Sequence, residues 1–274
     1  LNKKVLSFVK TKKTNFYYHK ENGDFWNVMI FIANSITHNI VVDKEIAYEG
    51  GKLLGAFLNA TSDFESSQLI DVIPNFHDMS FRYKEYESSL QIASKERLEK
   101  AINYKKIVSD LKTEMHILQE LKEAKVIPVR VTHNDTKISN SLFDNDNKGI
   151  CMIDTDTVMP GIIHYDFGDA IRTICNTAAE DEKDLSKVEF NLAYYEAYEK
   201  GFLEKTKDTL FPISIKYLSL GAKTMIFIMA LRFLTDYFNN DVYYKVNYPE
   251  HNLDRARNQF KLIKSFSEKI ENQK

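Results

Sequence analysis

Apolar and polar positions alternate over residues 5–9, 15–19 and 25–32 in the manner of strands, with a turn at 21–24 between the last two. This predicts the edge of an antiparallel sheet. After Asp43, which suits a helix N-cap, the period changes, and Ile46, Leu53, Leu54, Phe57 and Leu58 recur at helical spacing through Ala60. Residues 62–82 are polar and broken by Pro74, whereas 85–125 reads as two or more amphipathic helices whose charge runs are solvated faces. A short apolar run at 129–131 precedes a loop. Two further runs, 141–143 and 150–153, flank a turn-forming stretch at 144–149, which predicts a hairpin. Ser186 and Glu189 form a capping-box pattern ahead of Val188, Phe190, Leu192, Tyr195, Tyr198 and Phe202, with Gly201 near that helix's end. Pro212 opens the most apolar helix, 213–238. Strands first and helices afterwards predict an α+β fold of two unequal lobes, 1–43 and 44–274, joined near residues 32–44.

Composition narrows the class. The 274 residues are 43% hydrophobic and 28% charged, enough for a sizeable core, and 37 basic against 39 acidic side chains leave a net charge of -2. No nucleic-acid-binding surface is expected from that balance. Cys151 and Cys175 stand in apolar surroundings and predict buried free thiols in a reducing, cytoplasmic setting. The uncharged stretch 25–42 contains Asn34, Ser35, Thr37, His38 and Asn39, and the uncharged run within the apolar helix covers only 224–231, so neither is expected to cross a membrane. No secretory leader is read ahead of them.

The chemistry concentrates in His133-Asn134-Asp135-Thr136-Lys137-Ile138-Ser139-Asn140 and in Ile153-Asp154-Thr155-Asp156. If the two hairpin strands pair so that opposed residue numbers sum to about 294, Asn140 faces Asp154. An amide oxygen and a carboxylate side by side suit magnesium, which takes the rest of its shell from water and substrate phosphates. Asp135, on the loop just before them, would be free to orient a hydroxyl and accept its proton. A base, an Asn five residues on and a metal Asp nineteen residues after the base reproduce the layout of phosphoryl-transfer sites in kinases.

The pattern His133-x-Asp135-x-x-x-x-Asn140 followed by Asp154-x-Asp156 resembles the active site of the aminoglycoside phosphotransferase and choline kinase superfamily, which has a protein-kinase-like fold. More narrowly, HNDTKISNSLFD at 133–144, IDTDTVMPG at 153–161, YDFGDAIR at 165–172 and PEHNLDRA at 249–256 resemble N-acetylhexosamine 1-kinases. By that resemblance the activity is transfer of a phosphoryl group from ATP, with Mg2+, to the anomeric hydroxyl of the sugar. Asp135 is then the catalytic base and Asn140 and Asp154 hold the metal on the ATP phosphates. Lys137 neutralises the moving phosphoryl group, and His133 organises the loop. Backbone near Ile32 and Asn34 would meet adenine at the hinge. For the sugar, candidates are His77 in the loop 76–78, which reads equally as a surface turn, Arg232 in the apolar helix, which must either meet a carboxylate or reach a ligand, and Tyr243 and Tyr244 after it. Asp156 stands open between a second metal contact, a sugar ligand and a plain turn carboxylate.

Two tempting motifs are set aside. Asp166-Phe167-Gly168 spells the kinase metal motif, yet it leads into a helix with no apolar strand before it, so Asp166 and Asp169 are expected to cap that helix and brace the catalytic loop. Gly50-Gly51-x-x-x-Gly55 lies inside a helical pattern without a Lys-Ser/Thr partner and reads as a close-packing face. The resemblance places Leu1 in mid N-lobe. No glycine precedes Gly23 to form a phosphate loop, although Lys3, Lys4, Lys10, Lys12 and Lys13 are present. That implies a fragment whose nucleotide lid lies elsewhere and which, alone, binds ATP poorly. Competing readings are a kinase of another small alcohol or aminoglycoside and a non-catalytic kinase-like scaffold. A haloacid-dehalogenase-type phosphatase built on Asp154-x-Asp156-x-Val158 is a third, but it lacks the alternating strand-helix series that fold needs.

Overall fold

The computed structural model describes residues 5–271; Leu1, Lys3 and Lys4 lie outside them. The fold is α+β and protein-kinase-like, with small antiparallel sheets feeding a mainly helical body.

The predicted strand segments near the start form a thin antiparallel meander. β1 (Tyr18–His19) pairs with β2 (Phe25–Trp26), and Phe8 bridges Met29, with the Val9 N–H on the Val28 carbonyl at 2.8 Å. The segment then crosses to the second hairpin, where Ile36 and Phe143 exchange both backbone hydrogen bonds, at 2.8 and 2.9 Å.

α1 (Lys44–Ala60) begins where the period change places it, its Ile46 N–H capped by Asp43 Oδ1 at 2.9 Å. Its glycines let it lie against α6 (Leu192–Thr206): a Cβ on Gly51 would stand 2.1 Å from the Tyr198 carbonyl oxygen. The predicted amphipathic region divides into α2 (Met79–Ile92), α3 (Lys95–Lys100) and α4 (Ile102–Glu123). β3 (Arg130–Thr132) pairs antiparallel with β6 (Met159–Gly161), a strand the sequence did not announce, and β4 (Ser141–Phe143) pairs with β5 (Gly149–Met152). α5 (Ile163–Ile174) follows.

Three expectations are corrected. In the hairpin Ser141 faces Met152 and Leu142 faces Cys151, so residue numbers sum to 293, and Asn140 is opposite Ile153 instead of Asp154. An irregularity between Leu142 and Phe143 absorbs the odd residue of the turn. The Ser186/Glu189 pattern does not cap a helix. Asn191 does, its Oδ1 accepting the Tyr194 N–H at 3.2 Å, so α6 starts four residues after Val188 and Gly201 sits in its interior against the Tyr48 carbonyl. The apolar helix is two helices, α7 (Pro212–Lys216) and α8 (Leu218–Phe238), because the chain turns at Tyr217.

α8 is long and apolar enough to span a bilayer by length and composition, but 83% of that window is buried inside the molecule. It is the axis of the core. Phe227, Phe233 and Phe238 are each at most 1% exposed, and α5 approaches so closely that a Cβ on Gly168 would stand 2.3 Å from the Gly221 oxygen. α9 (His251–Glu271) closes the other side, and Cys151 and Cys175 are buried free thiols.

Candidate active site

The loop between β3 and β4 is held in place before any ligand is considered. Asn134 adopts a left-handed backbone (φ 64°), a conformation Asn tolerates better than most residues. Its side-chain amide donates to Thr132 Oγ1 at 2.9 Å and to the Thr157 carbonyl at 3.0 Å, while Thr157 Oγ1 donates to the His133 carbonyl at 2.7 Å. From below, Asp166 of α5 accepts the backbone N–H groups of His133 and Asn134 at 2.7 and 2.8 Å. Asp169 Oδ2 accepts the Thr136 N–H at 3.1 Å, and its Oδ1 meets Arg172 Nη2 at the same distance. Asp166 is fully buried, and that burial, helped by Asp169, pushes its carboxyl up to about 7 against the pull of the two N–H donors. The bracing role expected of Asp166 and Asp169 is what the structure shows. The capping role is not: α5 starts after Ile162 with no side-chain cap.

His133 is buried under this loop. Its ring meets Phe57 edge-on at 5.4 Å, and burial lowers its pKa, so the ring is neutral, with Nε2–H donating to the Ile153 carbonyl at 3.0 Å. It ties the catalytic loop to the peptide just before Asp154. The charges of Asp135, Asp154 and Asp169 act on that ring against the effect of burial.

Asp135 Oδ2 takes two donors, Lys137 Nζ at 2.7 Å and Asn140 Nδ2 at 2.8 Å, and among the described residues nothing meets its Oδ1. With Nδ2 also on the Asp135 carbonyl at 2.9 Å, the buried Asn140 has both amide hydrogens committed, and among the described residues its Oδ1 has no partner. The Ile153 N–H donates to the Asn140 carbonyl at 2.8 Å, so the one-residue change of register still carries Asp154 in directly after this bond. Asp154 is left-handed (φ 62°, ψ 62°) and exposed, and its carboxylate has no hydrogen bond or ion pair among the described residues. A left-handed aspartate carries backbone strain of the sort found where a side chain must be aimed. Two hard oxygen groups left without partners fit magnesium, which needs only one or two protein ligands besides water and phosphate. Among the described residues no cluster of three or more His, Cys, Asp or Glu offers a fuller metal cage.

A second group forms beyond the loop 71–78. The Arg232 guanidinium lies over Phe76 at 5.1 Å and over Tyr243 and Tyr244 at 5.6 Å each. Its polar contacts are weak, 3.4 Å to Tyr243 Oη and 3.7 Å to Met229 Sδ, and no carboxylate pairs with it among the described residues. It opens on a cleft of about 250 Å³ also lined by Arg82, Glu85, Asp236 and Asn239. His77 stands between the two groups. It packs on Phe76 and Tyr165, and burial together with Arg232 and Arg82 lowers its pKa to about 3, against the pull of the Asn134 backbone. It shares a small polar cavity of about 100 Å³ with Asn134, the neighbour of Asp135.

The structure therefore gathers His133, Asp135, Lys137, Asn140 and Asp154 in one place and Arg232, Tyr243 and Tyr244 in another, with His77 packed between them. Asp156 stands exposed in the turn 155–157 with no hydrogen bond or ion pair among the described residues. Ile32 and Asn34 lie on the segment anchored to the hairpin through Ile36; the Ile32 carbonyl accepts Ser35 Oγ at 2.7 Å, and Asn34 is left-handed (φ 58°). Thr157, Asn134 and Asp236 act mainly through hydrogen bonds to backbone, which leave no spacing pattern in the sequence.

Comparison with known proteins places this arrangement. Residues 18–205 match the phosphotransferase enzyme family, APH. Among solved structures, an aminoglycoside phosphotransferase from Alicyclobacillus acidocaldarius is 15% identical with a TM-score of 0.61, over 98% of this chain and 78% of that one. A choline kinase from Cryptosporidium parvum is 15% identical with a TM-score of 0.53, over 90% of this chain and 71% of that one. A spectinomycin phosphotransferase in complex with ADP and spectinomycin is 13% identical with a TM-score of 0.51, over 98% and 78%. At these identities the likeness is one of fold.

Proposed function

The chain belongs to the phosphotransferase enzyme family, and on that premise we propose that it transfers the terminal phosphoryl group of ATP to the anomeric hydroxyl of an N-acetylated hexosamine. On this reading residues 1–43 supply N-lobe strands and hinge and 44–274 the C-lobe, with backbone at Ile32 and Asn34 facing adenine.

Asp135 offers its unpaired Oδ1 to the acceptor hydroxyl and takes its proton as the oxygen attacks phosphorus. Lys137 and Asn140, both on Oδ2, hold the carboxylate in one orientation while it waits. The Lys137–Asp135 pair is partly exposed on both sides, and such pairs contribute only about 0–1 kcal/mol. The ammonium can therefore leave Asp135 for the phosphoryl oxygens as charge builds there. Asn140 Oδ1 and the Asp154 carboxylate are the groups that would hold Mg2+, which when bound neutralises the phosphates. His133 keeps the two loops in register through its bond to the Ile153 carbonyl.

The acceptor class rests on one observation, the free guanidinium of Arg232 in its ring cage. A quaternary ammonium such as choline is bound by an aromatic cage, and here Arg232 already covers those rings; a polyamine such as an aminoglycoside needs open carboxylates. Here Glu85 is paired with Arg82 at 2.6 Å and the Asp236 carboxylate is filled by N–H donors. Arg232 would repel a second cation, whereas sugar and acetamido oxygens can accept its spare N–H groups and Tyr243, 67% exposed, offers a face for a sugar ring. The anomeric position and the acetamido group are supported by the sequence blocks that resemble hexosamine 1-kinases. An ADP-release assay on the full-length protein with N-acetylglucosamine, N-acetylgalactosamine, choline and kanamycin tests it. Turnover with at least one N-acetylhexosamine, giving the sugar 1-phosphate, and less than about a hundredth of that kcat/KM with either cation, is expected; preference for a cation contradicts it.

A further inference from the structure

Arg232 and Asp236 are four residues apart on α8, the spacing at which an arginine and an aspartate on one helix ordinarily pair. They do not. The Asp236 carboxylate, in a side chain only 4% exposed, instead accepts three N–H groups: Oδ1 takes the Tyr243 backbone at 2.9 Å, and Oδ2 takes the Tyr244 backbone at 2.9 Å and Asn252 Nδ2 at 2.8 Å. The Asp236 carbonyl also receives the Asp241 N–H at 2.8 Å. Between these anchors the chain passes through two consecutive left-handed residues, Asn240 (φ 66°) and Asp241 (φ 59°), which turn it back over the end of α8. The turn is secured from outside by Arg97, whose Nη1 meets Asp241 Oδ2 at 2.8 Å, and by Asn252 Nδ2 on Asp241 Oδ1 at 2.9 Å.

We infer that Asp236 is a positioning residue for acceptor recognition: by taking the backbone of Tyr243 and Tyr244 it builds the ring cage, and by being so occupied it leaves Arg232 without a carboxylate and ready for substrate. This rests on the acceptor site described above. Both halves follow from the count of acceptor sites on one carboxylate. Three charge-assisted bonds occupy both oxygens of the carboxylate, and bonds of this kind together are stronger than a single exposed ion pair with Arg232. Asparagine at 236 would present one oxygen and one NH2 to three donors, so at least one tyrosine amide would lose its acceptor.

The test is steady-state kinetics of the full-length protein with N-acetylglucosamine as acceptor, comparing wild type, Asp236→Asn and Arg232→Leu. The inference predicts that Asp236→Asn raises the KM for the sugar about tenfold while the KM for ATP stays within about twofold, since the hinge and the metal-binding groups lie elsewhere. A loss of general stability would lower the active fraction without separating the two KM values. An unchanged sugar KM in Asp236→Asn, with a raised one in Arg232→Leu, would overturn the positioning role and leave the acceptor site standing. An unchanged sugar KM in both variants would remove the acceptor site itself. If Asp236→Asn does not fold, Asn252→Ala, which deletes one of the three donors, should raise the sugar KM by a smaller factor, and no rise there would overturn the inference.

Discussion

At the scale of single residues, the candidate site is organised by carboxylates other than those proposed to act in the reaction. Asp166 is the clearest. It is buried beneath the catalytic loop, its two oxygens hold two consecutive backbone N–H groups, and it is surrounded by Asp169 of its own helix, the neutral His133 of the loop and the phenol of Tyr198 from α6. Its pKa is raised from 3.8 to about 7 in the folded chain. The native state therefore binds the proton more tightly than the unfolded state between those values, and the sign follows: this group's contribution to stability is largest at low pH and declines as pH rises toward about 7. Asp166→Asn removes that titration along with one acceptor. Urea unfolding of both proteins between pH 4.5 and 8 should show the wild-type advantage shrinking with rising pH up to about 7 and level above it; a constant or growing advantage would contradict the assignment.

At the scale of elements, the active loops depend on how closely helices approach one another. α1 carries Glu49, buried, whose Oε2 accepts the Gly149 N–H at 3.1 Å and so tethers the hairpin that bears Asn140 and leads to Asp154. α1 can reach that position because Gly51 admits the backbone of α6, with no room for a Cβ beside the Tyr198 carbonyl. Gly51→Ala should destabilise the fold by about 1–3 kcal/mol through overpacking, read as a lowered urea midpoint at unchanged slope; no change in midpoint would mean the helices part without cost. This close face was legible from the Gly50-Gly51-x-x-x-Gly55 spacing, as α1 itself was from Asp43 and the change of period. The hairpin was legible as an element but not in its register, because the turn and an irregularity at Leu142/Phe143 set the pairing and neither is fixed by apolar pattern. β6 was invisible for a related reason. Three residues that pair with a short partner carry no alternation to detect.

At the scale of the whole molecule, the chain brings one motif and several distant pieces to a single body. The motif His133 to Asp156 was readable because its chemistry is local: Asp135, Lys137 and Asn140 touch one another within five residues. The Arg232 cage was not readable as a cage. Phe76, Arg232 and the tyrosines at 243 and 244 meet only because α2 and α8 pack together and the chain reverses after Asn239. What sequence offered was a charged residue in an apolar helix, and spacing alone would have paired it with Asp236. The same distance argument explains why Asp166 and Asp169 could be named as braces but their targets could not.

The proposed reaction depends most on Asp135 receiving a proton from the acceptor hydroxyl beside the groups that would hold Mg2+. The direct measurement is kcat for ADP release by Asp135→Asn at saturating ATP, Mg2+ and N-acetylhexosamine. Asparagine preserves the shape and an acceptor oxygen but cannot take the proton. A fall in kcat of about 10²–10⁴ is predicted, with both KM values within about threefold of wild type. Retention of more than about half the wild-type kcat in a folded Asp135→Asn protein would contradict it.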